Sequence, residues 1–250
     1  MNIDPDTDIG GAQHRFPVTN HSAIVRARSA DELERQRAFE TILTSYWKPV
    51  YKYVRLKWQA NNEDAKDITQ GFFANALEKN HFANYDASKA SFQTFLRTCL
   101  DGFVANERKA GKRLKRGGDR EHFQLDFVSA EDEFARYAVA SDLSPEDYFH
   151  REWVRWMFTL AVESLRRRCE EIDHVVHFQL FEQYDLSDNK TVSYSSLGQE
   201  FGLDPTTVNN YLAAVRRDFR RIVLDMLREI TATEEEFRNE ARSLLGVEVK

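Results

Sequence analysis

Apolar residues recur along most of the chain at intervals of three and four positions, which is the spacing of one helix face. Two helical patterns, "DELERQRAFETILTSYW" and "PVYKYVRLKW", come first, and Pro49 stands where a second helix starts or a single helix kinks. In the next pattern, "NNEDAKDITQGFFANALEKN", Asn62 is placed to cap the helix. Its apolar stripe consists of Ile68, Phe72 and Ala76.

Later helices follow the same periodicity. Ser91 is a plausible cap for "FQTFLRTCLDGFVANERKAGKRLKR", which Gly117 and Gly118 end. Ser144 precedes a proline and two carboxylates, the signature of a helix start, and "EDYFHREWVRWMFTLAVESLRRRCEE" follows. Thr233 is the expected cap of a short helix in "TEEEFRNEARSLLG". These patterns predict an all-α fold.

Composition shifts divide the predicted helices into two domains joined by an acidic linker. The linker, residues 117–147, has nine acidic side chains against two basic ones, and one short helix is expected near "EDEFARYAV". We therefore predict an N-terminal extension at 1–30, a helical domain at 31–116, the linker, a second helical domain at 148–230 and a tail helix at 231–250. The extension lacks periodicity and is expected to be mobile.

Composition narrows the class of protein. A hydrophobic share of 42% with 30% charged residues is typical of an ordinary folded protein. The net charge of −6 argues against indiscriminate coating of nucleic acid, although local charge matters more than the total. Cys99 and Cys169 form no redox motif. No apolar run approaches the roughly 20 residues of a membrane span. The N-terminus is too acidic for a signal peptide. We expect a cytoplasmic protein without a membrane partner.

The stretch "SYSSLGQEFGLDPTTVNNYL" has the pattern of a helix-turn-helix. Gly198 supplies the small residue at the helix crossing and Gly202 the turn, while Asp204 caps the second helix and Pro205 opens it. The internal apolar set is Leu197, Phe201, Leu203, Val208 and Leu212. A plain helical hairpin within a bundle is the alternative.

If this motif reads DNA, its second helix enters a major groove. Short polar side chains at its start would reach base edges, and arginines further along would grip the backbone. The candidate residues are Thr206, Thr207, Asn209, Asn210, Tyr211, Arg216 and Arg217.

A second basic stretch lies at the end of the helix that follows Ser91. Between Arg97 and Arg120 there are eight basic and three acidic residues, close to several phenylalanines. Positive charge beside aromatic rings suits the binding of a single strand, whereas cations at a helix C-terminus are also stabilising by themselves. The candidates for strand binding are Phe92, Phe95, Arg97, Arg108, Lys109, Lys112 and Arg113.

Together these segments resemble a bacterial RNA polymerase sigma factor of the extracytoplasmic-function (ECF) type, in a divergent branch. "YWKPVYKYVRLKW" looks like the first helix of sigma region two, and "EDAKDITQGFFANAL" is similar to the segment that docks on the polymerase beta-prime clamp. Asp67, Gln70 and Phe73 fit the family pattern Asp-x-x-Gln-x-x-Phe. "YDASKASFQTFLRTCL" resembles the stretch that opens the promoter −10 element, and the helix-turn-helix is similar to region four, which reads the −35 element.

The resemblance implies a specificity subunit rather than an enzyme. Its partners would be core RNA polymerase, through the beta-prime clamp and the beta flap, and promoter DNA, and an anti-sigma factor is a further partner that the family allows. It implies no cofactor, metal or catalytic residue. The polymerase-binding residues would be Asp64, Asp67, Gln70, Phe73 and Asn75.

The chain departs from the family at two sites of promoter reading. Asp101-Gly102 stands where Arg-Asn is common, and Tyr211 stands where an arginine is common. The runner-up function is a stand-alone helix-turn-helix regulator that binds duplex DNA without polymerase, and a third is an adaptor that binds polymerase without reading DNA. His174 and His177 share a helix face near Cys169, but no further convergent ligand is evident for a metal.

Overall fold

A computed structural model describes residues 22–109, 122–137, 143–187 and 191–246 of the chain. These residues form ten α-helices and no strand, so the predicted all-α class is confirmed for them. The helices are α1 Ala23–Arg26, α2 Glu32–Lys57, α3 Asn62–Glu78, α4 Phe92–Lys109, α5 Phe127–Tyr137, α6 Pro145–Glu171, α7 Val175–Phe181, α8 Tyr194–Phe201, α9 Pro205–Glu229 and α10 Glu234–Leu245. None of the described helices combines the length and apolar character needed to cross a membrane.

Helix α2 runs through Pro49 as one element of 26 residues. A helix start at Pro49, one of the two alternatives that the sequence allows, is therefore wrong. Proline removes one backbone hydrogen bond and costs about 3 kcal/mol in a helix interior. Packing outweighs this cost, because Tyr46, Val50 and Tyr51 around the proline are almost completely buried.

The helices begin at residues whose side chains accept hydrogen bonds from free backbone N–H groups. Ser91, Ser144 and Thr233 act as caps, as the sequence predicts. The predicted cap of α3 is displaced by one position: Asn61 accepts the bond from the Asp64 N–H, at 2.8 Å. Asn62 instead accepts a hydrogen bond from the Tyr51 hydroxyl.

Two hydrophobic cores stabilise the described residues. The larger core combines α1 to α5 with the first half of α6, the second half of α9, and α10. The smaller core lies inside the helix-turn-helix region and takes the end of α6, α7, α8 and the start of α9. The two longest late helices, α6 and α9, therefore run through both cores in opposite directions.

The larger core takes side chains from both sides of the predicted linker. Phe149, Trp153 and Met157 on α6 are at most 1% exposed and pack into the same core as α2 and α3. These residues recur every four positions and give the first half of α6 an apolar face that α2 covers.

The described part of the predicted linker contains a packed helix. Helix α5 confirms the short helix expected in this region and contacts α2. Its Glu133 accepts hydrogen bonds of 2.6 Å from both Lys48 and Lys52, and Lys52 also pairs with Glu152 on α6 at 2.7 Å. Glu133 of this segment thus pairs with two buried lysines of α2, and Glu152 of α6 shares one of them.

Candidate nucleic-acid and polymerase interfaces

The turn of the helix-turn-helix depends on its two glycines. A Cβ at Gly198 would lie 2.6 Å from the carbonyl oxygen of Leu203, closer than side chains tolerate. The same two residues are joined by a bond of 2.8 Å from the Leu203 N–H to the Gly198 carbonyl. Gly202 has a φ of 67°, in the left-handed region that favours glycine. The roles predicted for both glycines are confirmed.

The two helices of the motif are both capped. Ser193 and Ser196 form a reciprocal capping box at the start of α8. Asp204 accepts hydrogen bonds of 2.9 Å from the backbone N–H groups of Thr206 and Thr207, and Pro205 occupies the first position of α9. Hydrogen bonds from Thr207 and from the backbone lower the pKa of Asp204. The carboxylate therefore remains charged at the positive end of α9.

Helix α9 presents an exposed polar stripe opposite its buried face. Thr206, Asn210 and Arg217 are exposed and spaced so that they lie on one side of the helix, and exposed Asn209 flanks them. The opposite side is in the small core, with Val208, Leu212 and Val215 at most 2% exposed. This arrangement leaves four of the predicted −35 residues accessible to a nucleic acid.

Two other predicted −35 residues are engaged inside the protein. Arg216 makes two hydrogen bonds of 2.9 Å to the Asp185 carboxylate, which neutralises its charge. The Thr207 hydroxyl donates to the Asp204 carboxylate. We therefore reassign Arg216 from phosphate binding to the link between α9 and the turn that follows α7, and Thr207 to the cap of α9.

Tyr211 lies in a stack of three rings. Its ring centroid is 3.8 Å from that of His177, which lies 4.3 Å from that of His174. Partial burial and the neighbouring His174 lower the pKa of His177, so this imidazole stays neutral near pH 7. The two histidines hold the tyrosine against α7. Among the described residues, no group of three or more metal-ligating side chains is found, here or elsewhere.

The predicted polymerase face on α3 is only partly accessible. Asp64 and Asp67 are exposed and Asn75 is half-buried. Partial burial and the charges of Asp64 and Glu63 raise the pKa of Asp67 above its ordinary value. Lys66 pairs with Glu63 at 2.8 Å, so the exposed Asp64 and Asp67 form the acidic surface at this end of α3.

Gln70 and Phe73 do not fit the predicted polymerase contact. The Gln70 side chain donates to the Phe123 carbonyl at 2.7 Å and accepts from the Phe123 N–H at 3.0 Å, so residues before α5 cover it. Phe73 is 0% exposed and its ring contacts Phe39 and Phe72. We assign Phe73 to the core, because Phe39 of α2 covers this flank of α3.

The aromatic residues predicted to bind the −10 strand lie at the start of α4 and face the protein. Phe92 is 1% exposed and contacts the rings of Tyr46, Phe82 and Tyr85, so it belongs to the core. Phe95 is half-buried, with its ring 5.4 Å from that of Tyr85. Of these two phenylalanines, only Phe95 offers a surface to a base.

The basic residues of α4 are partly engaged as well. The Arg97 guanidinium lies 5.7 Å from the ring of Phe149 on α6, and that of Arg108 lies 4.8 Å from the Trp58 ring and donates to the Trp58 carbonyl. Lys109 is exposed. The other two predicted strand-binding residues, Lys112 and Arg113, lie outside the described residues.

Asp101 has a structural role that the sequence did not indicate. Its carboxylate accepts hydrogen bonds from the Trp58 indole at 2.9 Å, the Lys57 ammonium at 2.9 Å and the Tyr53 hydroxyl at 3.2 Å. The residue noted as a departure from the family thus joins α4 to the end of α2. Its partners lie more than 40 positions away, so no local pattern could have found them.

The geometry thus leaves two accessible polar surfaces among the predicted sites, the stripe on α9 and the acidic end of α3. Of the other predicted contacts, Lys109 is exposed and Asn75 and Phe95 are half-buried, and the rest are engaged within the protein or lie outside the described residues. The chain matches no protein-family model, no curated protein and no solved structure.

Proposed function

We propose that this protein is a sigma factor of the ECF type, which binds core RNA polymerase and directs initiation at promoters with −35 and −10 elements. The observation that carries the proposal is the exposed stripe of Thr206, Asn209, Asn210 and Arg217 on a capped second helix. Asn side chains pair with adenine edges in a major groove, and an arginine contacts phosphate or guanine.

The polymerase contact in this proposal is the acidic end of α3. Asp64 and Asp67 lie in the segment "EDAKDITQGFFANAL", which resembles the family's polymerase-binding segment. They are exposed, and three carboxylates lie within one and a half turns, so they suit a basic partner surface. The −35 element and the polymerase would then bind helices that are far apart in the sequence, and a net charge of −6 is compatible with DNA binding at a local stripe.

The test is reconstitution with purified core polymerase from the source organism. We expect the full chain to bind core and to support initiation at a promoter that core alone does not use. Asp67→Lys should weaken core binding about tenfold, since it reverses a charge at the interface. Glu78→Lys is the matched control: it makes the same change at the exposed far end of α3 and should leave binding unchanged.

The DNA arm of the same test uses Asn209→Ala and Asn210→Ala. Each should keep core binding and reduce the preference for the correct −35 sequence by about 1–3 kcal/mol. Asn239→Ala, at an exposed position on α10, controls for the loss of an amide. Failure to bind core, with specific binding of duplex DNA retained, would favour the stand-alone regulator instead.

A further inference from the structure

Helix α10 packs against the amino-terminal helices rather than extending from the end of the chain. Phe237 and Ala241 are 0% exposed and belong to the larger core. The Arg228 guanidinium lies 4.5 Å from the Phe237 ring and fixes it from the α9 side. The helix therefore has a defined position beside α4.

Glu236 on α10 caps the start of α4 from 144 positions away. One carboxylate oxygen accepts from the Phe92 N–H at 2.9 Å and from the Tyr85 hydroxyl at 3.2 Å, and the other accepts from the Ala232 N–H at 2.9 Å. The first N–H groups of a helix have no partner within it and attract negative charge. Ser91 satisfies the Thr94 N–H, and Glu236 satisfies that of Phe92.

A second contact lies one turn further along α10. Glu240 accepts a hydrogen bond of 3.3 Å from the side chain of Gln93, whose oxygen lies 3.1 Å from Nδ1 of His150 on α6. Gln93 is 7% exposed. The two carboxylates of α10 thus contact two successive residues at the start of α4.

The same turn of α4 carries two of the residues that the sequence predicts to bind the −10 strand, of which Phe95 keeps a partly exposed ring. Phe92 and Phe95 lie there, and Arg97 follows within the next turn. The first turn of α10 contains three carboxylates, Glu234, Glu235 and Glu236. Of these three, Glu236 is the one bonded to α4, and it already occupies the N–H group that a phosphate of an approaching strand would use.

We propose that α10 is an autoinhibitory clasp, which covers the start of α4 and must leave it before the protein can hold an unpaired promoter strand. This inference rests on the proposed function. Release of α10 would remove the competing carboxylates of Glu236 and Glu240 and free the N–H of Phe92 and the side-chain N–H of Gln93. Binding to polymerase or to melted DNA would then compete with α10 for one surface.

The first test measures the affinity of the full chain for a fluorescein-labelled pool of randomised single strands 20 nucleotides long, with and without core polymerase. Glu236→Ala should bind the pool at least fivefold more tightly than the wild type. Glu235→Ala is the control, because it removes the same charge from an exposed neighbour for which no contact is found among the described residues. Its affinity for the pool should stay within twofold of that of the wild type. If both variants gained the same affinity, the change in net charge would explain the effect and the clasp would be overturned.

The second test joins the helix to its site. Gln93→Cys and Glu240→Cys, in a chain whose two native cysteines are serine, are linked by a short thiol-reactive bridge that dithiothreitol cleaves. The bridged protein should bind the pool at least fivefold more weakly than the same protein after reduction. Equal binding in the two states would contradict the clasp, even if Glu236→Ala destabilises the fold.

Hydrogen exchange at the Phe92 amide separates this inference from the proposed function. Faster exchange in Glu236→Ala together with unchanged strand binding would overturn the clasp and leave the sigma function standing. Tighter strand binding by Glu236→Ala, without any initiation by the wild type with core polymerase, would support the clasp and reject the sigma function.

Discussion

At the scale of single residues, the same side-chain type has opposite consequences at different positions. Asp101 and Glu236 are acidic residues whose carboxylates each satisfy two or more donors from distant helices. Asp67 has no such partner among the described residues, and its neighbours raise its pKa. A paired carboxylate stabilises the fold, whereas an unpaired one in a cluster of like charge is available to an external partner.

The two glycines Gly198 and Gly102 allow a matched prediction at this scale. In Gly198→Ala the new methyl group would lie 2.6 Å from the Leu203 carbonyl oxygen, so the backbone must shift. We expect a loss of about 1–3 kcal/mol in the free energy of unfolding, and weaker −35 binding as the two helices move apart. The measurement is urea unfolding, followed by a DNA-binding titration of the folded variant.

Gly102→Ala is the control, since nothing lies within 4 Å of its Cβ position in α4. Replacing a helical glycine with alanine there should raise stability by about 0.5–1 kcal/mol. A Gly198→Ala protein as stable as the wild type would show that the helix crossing tolerates a side chain, and would weaken the helix-turn-helix interpretation.

At the scale of elements, local patterns predicted where helices form but not which other helices pack against them. The apolar stripe of α3, the short helix α5, and the turn at Gly202 follow from periodicity and backbone rules, which depend on residues a few positions apart. Burial of Phe73 and Phe92 was missed, because the sequence shows which face of a helix is apolar but not how far its neighbours cover the flanks.

The pairing of charges between helices could not be predicted either. Glu133 and Glu152 lie 81 and 100 positions from Lys52 in the sequence, and no spacing rule links them. In sequence they belonged to an acidic linker and a polar helix face. The structure makes them the contacts by which α5 and α6 hold α2.

Removal of Glu152 tests this junction. Lys52 and Glu152 are each 2% exposed and lie 2.7 Å apart, so Glu152→Ala leaves a buried ammonium with one partner fewer. We expect a loss of about 3–5 kcal/mol in the free energy of unfolding. Glu163→Ala, an exposed position on the same helix, should change it by less than about 0.5 kcal/mol in the same urea titration.

Replacement of both partners, Lys52→Met with Glu152→Leu, should recover much of this loss, since an apolar pair needs no compensating charge. If Glu152→Ala proved as mild as Glu163→Ala, water would have access to Lys52, and the contact between α6 and α2 would be looser than the buried pair implies.

At the scale of the whole molecule, the chain is closed on itself by contacts far apart in sequence. Residues before α5 cover Gln70, α6 covers Arg97, and α10 covers the start of α4. Each of these contacts involves a residue that the sequence assigned to polymerase or to DNA. The order of motifs along the chain predicts which surfaces bind partners, but it does not reveal that later segments fold back onto earlier ones.

The docking of α10 on the start of α4 is expected to weaken as the pH rises. Burial, together with the charge of Glu236, raises the pKa of Glu240 from 4.5 to about 7. Because the pKa is higher in the docked helix, protonation of Glu240 stabilises docking. This stabilisation is complete below about pH 4.5 and is lost as the pH rises through 7. Two other groups face Glu240: Tyr46 on α2 has a raised pKa and stays uncharged, and burial and Arg97 lower the pKa of His150 on α6, so His150 titrates below an ordinary imidazole.

We therefore expect faster hydrogen exchange in α10 and tighter single-strand binding near pH 8 than near pH 5.5, with a change in docking free energy of about 2 kcal/mol. Glu133 does not contribute to this pH dependence. Burial raises its pKa, but the bonds from Lys48 and Lys52 outweigh burial and lower the pKa below 4.5. The stabilisation that Glu133 gives is therefore lost only in acid. Glu240→Gln removes the titrating group and should remove the pH dependence of exchange in α10. If that dependence persisted in Glu240→Gln, a group other than Glu240 would control the docking of α10.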